Sequence, residues 1–288
     1  MMVAVSPEQR PSARVCPCMG SARPPKGYRR RQVSAALPLF VFLTLTAASL
    51  PANGSGREAP AGPAFPAFTP VKLGAASGVT KIVAGRAAAL LYVPAGYRGN
   101  EPLPLLVMLH GAGGTSRGAL DLVKSHADAL GILVLAPKSR AETWDIIADG
   151  RLGPDEAALD ALVRQASVDY AVDQRRIAIG GFSDGASYAL AIGLARGDRF
   201  SDVLAFSPGF AAVGAVAGTP AIFISHGTAD RVLPIEACSR RIVPRLRRAG
   251  YGVRYEEFEG GHKVPAALAR EALEAFVRRV EPRRKVAA

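Results

Sequence analysis

From about residue 86 onward, short apolar runs alternate with amphipathic stretches. Arg86–Val93 (RAAALLYV) is predicted as a strand closed by the turn-forming Pro94-Ala95-Gly96-Tyr97. Leu103–Leu109 is apolar without interruption, the pattern of a strand covered on both faces. A helix is predicted over Arg117–Ala129 and a strand over Ile132–Leu135. The next helix runs over Asp155–Val168, with Pro154 at its start and a stripe of Leu159, Leu162 and Val163. Further strands are predicted over Arg176–Phe182, Val203–Phe206, Pro220–Ser225 and Val253–Phe258. The remaining helices cover Ala186–Ala195, Ile235–Ala249 (kinked by Pro244) and Ala266–Val280. Ser139–Gly153 has no apolar period and reads as a polar surface loop. Strands and helices that alternate in this way predict a single-domain α/β fold, a mostly parallel sheet with helices on both faces.

Upstream of that domain the pattern changes. Val33–Leu50 is an apolar run without a charge, preceded by Lys26, Arg29, Arg30 and Arg31 and ending in small residues. A basic segment, an apolar stretch of this length and Ala47, Ala48 and Ser49 read as a signal peptide, so residues 1–52 are expected to direct export and be removed. The rival reading is an uncleaved membrane anchor, which needs about 20 apolar residues and does not favour a Pro38 in mid-run. Arg30-Arg31-Gln32-Val33 matches the twin-arginine export pattern only weakly. Residues 53–67, rich in Pro, Gly and Ala, are expected to be a linker, leaving 68–288 as the folded domain.

The net charge of +12 suggests a nucleic-acid binder until its location is considered. Residues 1–52 hold seven basic side chains and one acid, Glu8, so half of the excess lies in the export segment and a nucleic-acid partner is not expected. Three Cys, two of them (Cys16 and Cys18) in that segment, build neither a disulfide framework nor a recognisable zinc site. Cys238 is expected to be a small buried hydrophobe, and Arg240, Arg241, Arg245, Arg247 and Arg248 a solvated helix face.

The chemistry collects where predicted strands end. Gly181-Phe182-Ser183-Asp184-Gly185 is a G-x-S-x-G motif between a strand and a helix. The bare pattern is weak, but in that context it predicts a sharp elbow lifting the Ser183 hydroxyl above the sheet, with the Asp184 N–H aimed into the same space. The plainer reading is an ordinary glycine-rich turn. After Leu103–Leu109 comes His110-Gly111-Ala112-Gly113-Gly114-Thr115, a turn that can bring a second oxyanion donor to the site. Ala112 N–H is assigned, with Gly111 or Gly113 as substitutes. No Lys follows these glycines and the dinucleotide-binding spacing is absent, so nucleotide binding is not expected. Asp230 (in HGTAD) and His262 (in EGGH) follow the next strands, completing the order nucleophile, acid, histidine. Asp145, Asp149 and Asp155 are rival acids, but they precede Ser183. His110 and His226 are expected to shape loops through hydrogen bonds, and His126 to face solvent. Trp144 either lines the substrate pocket or caps the core, and Phe210 is a candidate pocket wall.

From LYVPAGY through LHGAGGT, GPD, IAIGGFSDGAS, HGTAD and GGH, about residues 86–265, the chain resembles an α/β-hydrolase of the phospholipase/carboxylesterase type, and is similar to secreted esterases of the polyhydroxybutyrate-depolymerase kind. The resemblance implies Ser183, Asp230 and His262 as a triad, Ala112 and Asp184 as the oxyanion hole, no cofactor, and a small-molecule ester as substrate. Only Ser207–Thr219 separates two strands where a lid would be inserted, so an open site for small or short-acyl esters is expected. The alternatives are a serine peptidase, which would call for an additional peptide-selecting domain, and a catalytically silent binding protein on the same scaffold.

Overall fold

The computed structural model describes residues 77–211 and 217–279. The expected export segment and linker lie outside them, as do residues 212–216 of the short lid position.

In chain order the elements are β1 (Gly78–Ala84), β2 (Ala87–Val93), β3 (Leu103–Leu109), α1 (Ser116–Asp121), α2 (Lys124–Leu130), β4 (Leu133–Pro137), α3 (Asp145–Asp149), α4 (Pro154–Asp169), β5 (Val172–Phe182), α5 (Asp184–Ala195), β6 (Asp202–Phe206), β7 (Ala221–Gly227), α6 (Ser239–Arg248), β8 (Val253–Phe258) and α7 (Ala266–Arg278). The eight strands form one sheet in the order β1-β2-β4-β3-β5-β6-β7-β8. β2 pairs antiparallel with β1 and with β4, and every other pairing is parallel.

The apolar run of β3 explains the layering. Leu105, Val107 and Leu109 face one core, with Leu159, Leu162 and Val163 of α4 and much of α5 and α6. Leu106 and Met108 face the other, with Leu120 of α1, Val123, and Leu273 and Phe276 of α7. Alternating side chains thus feed two hydrophobic layers, which is why the strand reads as continuously apolar. The C-terminal ends of β3, β5, β7 and β8 all lie at one edge, where an open parallel sheet presents its ligand crevice.

Four expectations need correction. The single helix over Arg117–Ala129 is two, α1 and α2, because buried Val123 breaks the helical path (φ −129°, ψ −16°) and its N–H bonds Leu120 O in a tighter i→i−3 turn. The last helix of the Arg-rich segment begins at Ser239, four residues later than expected. β1 was not foreseen. Ser139–Gly153 is no ordinary surface loop: it carries α3 and buries Ser139, Trp144 and Asp145. Among the described residues, no helix is long and apolar enough to cross a membrane.

Candidate active site

Ser183 stands alone between the last residue of β5 and the first of α5, with φ 59° and ψ −120°. A side-chain-bearing residue held there is strained by about 1–3 kcal/mol. The turn is held from both ends: Ser183 N–H donates to Phe206 O (3.0 Å), and Ser183 O accepts from the N–H groups of Ala186 (3.0 Å) and Ser187 (3.1 Å). The flanking glycines permit the turn. A Cβ on Gly181 would come within 2.3 Å of the Gly185 carbonyl, and one on Gly185 within 2.5 Å of the carbonyl oxygens of Leu109 and His110. Strand, elbow and the end of β3 therefore approach at backbone contact distance, which only glycine allows.

The turn after β3 lies beside the elbow, with Gly111 so close that a Cβ there would sit 3.2 Å from Ser183 Cβ. Of the alternative oxyanion donors, Gly113 is corrected: its N–H is committed to Glu142 O at 2.8 Å. Among the described residues no hydrogen bond engages the Ala112 or Asp184 N–H. The Asp184 N–H belongs to the first turn of α5, where backbone donors lack helical partners and the helix dipole favours negative charge. Thr143 Oγ1 donates to the Asp184 carboxylate (2.6 Å), tying this turn to the segment before α3.

Asp230 and His262 meet across two loops. Thr228 N–H donates to Phe258 O and Ala229 N–H to Gly260 O, both at 2.9 Å, stitching the loop after β7 to the one after β8. Asp230 is 5% exposed. One carboxylate oxygen accepts from the N–H groups of Val232 and Leu233 (2.9 Å each), and the other from His262 Nδ1 at 2.6 Å. Burial alone would raise this carboxyl, but the donors of Leu233, His262 and Val232 outweigh it and hold it below the ordinary range, so it is ionised at neutral pH. With Nδ1–H given to Asp230, the lone pair of His262 is on Nε2. The His262 ring lies against Phe182, centroids 4.6 Å apart, which brings it beside the residue preceding Ser183. No direct hydrogen bond joins the Ser183 hydroxyl to His262 among the described residues; such contacts often tighten only around substrate.

The other candidates fall elsewhere. Asp145 and Asp155 are buried partners, each accepting the other's backbone N–H (Asp155 N–H to Asp145 2.8 Å, Asp145 N–H to Asp155 3.0 Å), and Asp149 is exposed; none bonds a histidine among the described residues. Trp144 as a pocket wall is a correction: it is 1% exposed, donates from Nε1 to His110 O (2.9 Å) and stacks on Tyr188 (5.1 Å, 15°). Phe210 is half-buried, its N–H 3.4 Å from the Ser187 hydroxyl, and Leu233 lies against the neighbouring Gly209. His126 is half-buried rather than solvent-facing. Cys238 is buried, which pushes its thiol pKa up. Phe182 and Thr143 were not singled out for these contacts from sequence. Only the place of Phe182 inside the elbow motif could have marked it.

Residues 155–276 match the model of the phospholipase/carboxylesterase family. A probable feruloyl esterase C of Aspergillus oryzae is 30% identical over 156 residues, covering 51% of this chain and 56% of the relative. The chain thus spans about half the length of the curated relatives it matches. Among solved structures, a thermostable esterase superposes with a TM-score of 0.55 at 22% identity, over 69% of this chain and 61% of that one. An S-formylglutathione hydrolase from Staphylococcus aureus does so with 0.57 at 14% identity, over 72% and 99%. Fold and matched segment agree: the chain has an α/β-hydrolase fold, and its residues 155–276 are similar to the phospholipase/carboxylesterase family.

Proposed function

We propose that the protein is an exported serine esterase that cleaves small or short-acyl carboxylic esters through an acyl-enzyme on Ser183. The observation that carries this reading is the Asp230–His262 hydrogen bond at 2.6 Å on the sheet edge that also bears the strained Ser183 elbow. His262 Nε2 takes the Ser183 proton as Oγ attacks the ester carbonyl, and Asp230 stabilises the imidazolium. The oxyanion is met by the N–H groups of Ala112 and Asp184, each such donor being worth about 10²–10³ in rate. Collapse expels the alcohol, protonated by His262, and water then releases the acid by the same steps in reverse order. The export segment at residues 1–52 and the linker at 53–67 belong to the same proposal, with 68–288 as the hydrolase domain.

The relatives named feruloyl esterases extend the acyl groups worth testing to hydroxycinnamoyl ones. The test uses a fluorophosphonate probe and a panel of acetyl, butyryl and long-chain aryl esters with methyl ferulate. Ser183→Ala should abolish labelling and lower kcat by about 10⁶. A variant that keeps a tenth of the activity removes Ser183 from the role. Sharp activation when substrate passes its solubility limit, or a preference for long chains, overturns the short-acyl reading.

A further inference from the structure

His226 lies at the end of β7, fully buried, and belongs to no part of the proposed triad. Its Nε2 is 2.8 Å from Leu233 O and 3.3 Å from the Asp230 oxygen that binds His262. Both neighbours are acceptors only, so Nε2 carries the hydrogen. Nδ1 is then the acceptor, 2.7 Å from Ser239 Oγ, whose hydroxyl must point at it. Leu233 closes a ring, for its N–H donates to the other Asp230 oxygen while its carbonyl accepts from His226.

We propose that His226 is a positioning residue for the acid–base pair: as a neutral donor oriented by Ser239, it fixes the Asp230 carboxylate facing His262 without neutralising it. The inference rests on the esterase reading above. The charged or titratable groups around His226 are Asp230, His262 and, across β8, Glu257, its register partner. Burial first, against the pull of Leu233 and Asp230, lowers the His226 pKa from the ordinary histidine value, so the side chain stays neutral where the base works. A protonated His226 would instead be a second cation competing for the same carboxylate oxygen.

The experiment compares wild type with His226→Leu, His226→Gln and Ser239→Ala, each counted by fluorophosphonate titration so that activity is expressed per reactive serine. His226→Leu should lower kcat about ten- to a hundredfold with KM unchanged, as expected when a reacting group is displaced by about 1 Å. The ascending limb of its pH–rate profile should move to lower pH, because a loosened Asp230 stabilises the His262 imidazolium less. A fold defect alone lowers the reactive fraction and leaves that limb in place. His226→Gln, which can donate to Leu233 O and accept from Ser239, should recover most of the rate. If His226→Leu does not fold, Ser239→Ala carries the test, with a loss of a few fold and a limb moved the same way. Variants that keep the wild-type rate per reactive serine and an unmoved limb overturn the positioning role alone. Wild type that fails to react with the probe overturns the esterase reading and this one together.

Discussion

Two corners of the sheet carry the same dipeptide and use it differently. His110-Gly111 follows β3 directly and His226-Gly227 ends β7, and both imidazoles are buried. His110 donates from Nδ1 to Gly111 O (2.7 Å) and accepts at Nε2 from Ser139 N–H (3.2 Å). His226 is the opposite tautomer, accepting at Nδ1 and donating from Nε2. The first braces backbone, holding the proposed oxyanion turn against the segment before α3. The second faces a carboxylate. The chemistry of a His-Gly corner is thus decided by what the loop beyond it contains, here an acid four residues on.

The glycines separate the corners most sharply. A methyl on Gly227 would lie 2.4 Å from Gly260 O and 2.5 Å from Gly261 O, the backbone that carries His262. Gly227→Ala must push that loop away, and a displacement of about 1 Å predicts a hundredfold or greater loss of kcat/KM. A methyl on Gly111 meets Ser183 Cβ at 3.2 Å and Phe182 O at 3.4 Å, contacts that a few tenths of an ångström relieve. Gly111→Ala should cost about tenfold, the smaller displacement giving the smaller loss. Kinetics of both variants per titrated serine check this, and equal losses would break the distinction.

This contrast also marks what was legible in the sequence. β3 and β8 were read with their observed bounds, because an uninterrupted apolar run and a short strand between turn residues leave little choice. The elbow and the two loops bearing Asp230 and His262 were legible as motifs, since each needs glycine where backbones touch. Buried polar work was not. The predicted strand starts at Arg176, yet β5 starts at Val172, with an irregularity between the pairs Leu103↔Val172 and Leu105↔Ile177. Ser139–Gly153 is polar enough to suggest solvent, yet Asp145 and Asp155 are buried by exchanging backbone hydrogen bonds that no composition reveals. His110 and His226 were seen as loop-shaping residues, but their opposite tautomers exist only once partners from distant segments are in place.

What the corners share is a neutral buried imidazole, and this gives a prediction on stability. Burial first lowers both pKa values below the ordinary histidine value. The native state therefore binds fewer protons than the unfolded one, so the stability they contribute is complete above about pH 6.5 and is lost as pH falls from there. Each histidine adds a slope of at most about 1.4 kcal/mol per pH unit. Denaturant unfolding at pH 7, 6 and 5 should show wild type weakening. His110→Gln and His226→Gln should each remove up to one proton from that slope. Asp155, raised first by burial, acts with the opposite sign and cancels between variant and wild type. Variants with the wild-type slope would show that the imidazoles are not held neutral.

The smallest effect concerns the indole behind the first corner. Trp144 donates to His110 O at 2.9 Å, lies 4.9 Å from the His110 ring and stacks on Tyr188. Trp144→Phe keeps an aromatic ring but loses the donor, leaving the His110 carbonyl without this partner in a buried place. The cost is about 1–2 kcal/mol, the usual result of orphaning one side of a buried hydrogen bond. In a domain of this size that lowers Tm by a few degrees, about 2–4 °C per kcal/mol. Because the indole lies below the site and not in it, KM for short aryl esters and for methyl ferulate should stay as in wild type. Thermal unfolding and ester kinetics on one preparation decide the matter. A Tm unchanged while KM for the aromatic acyl ester rises several fold would return Trp144 to the pocket wall and leave the His110 corner without its brace.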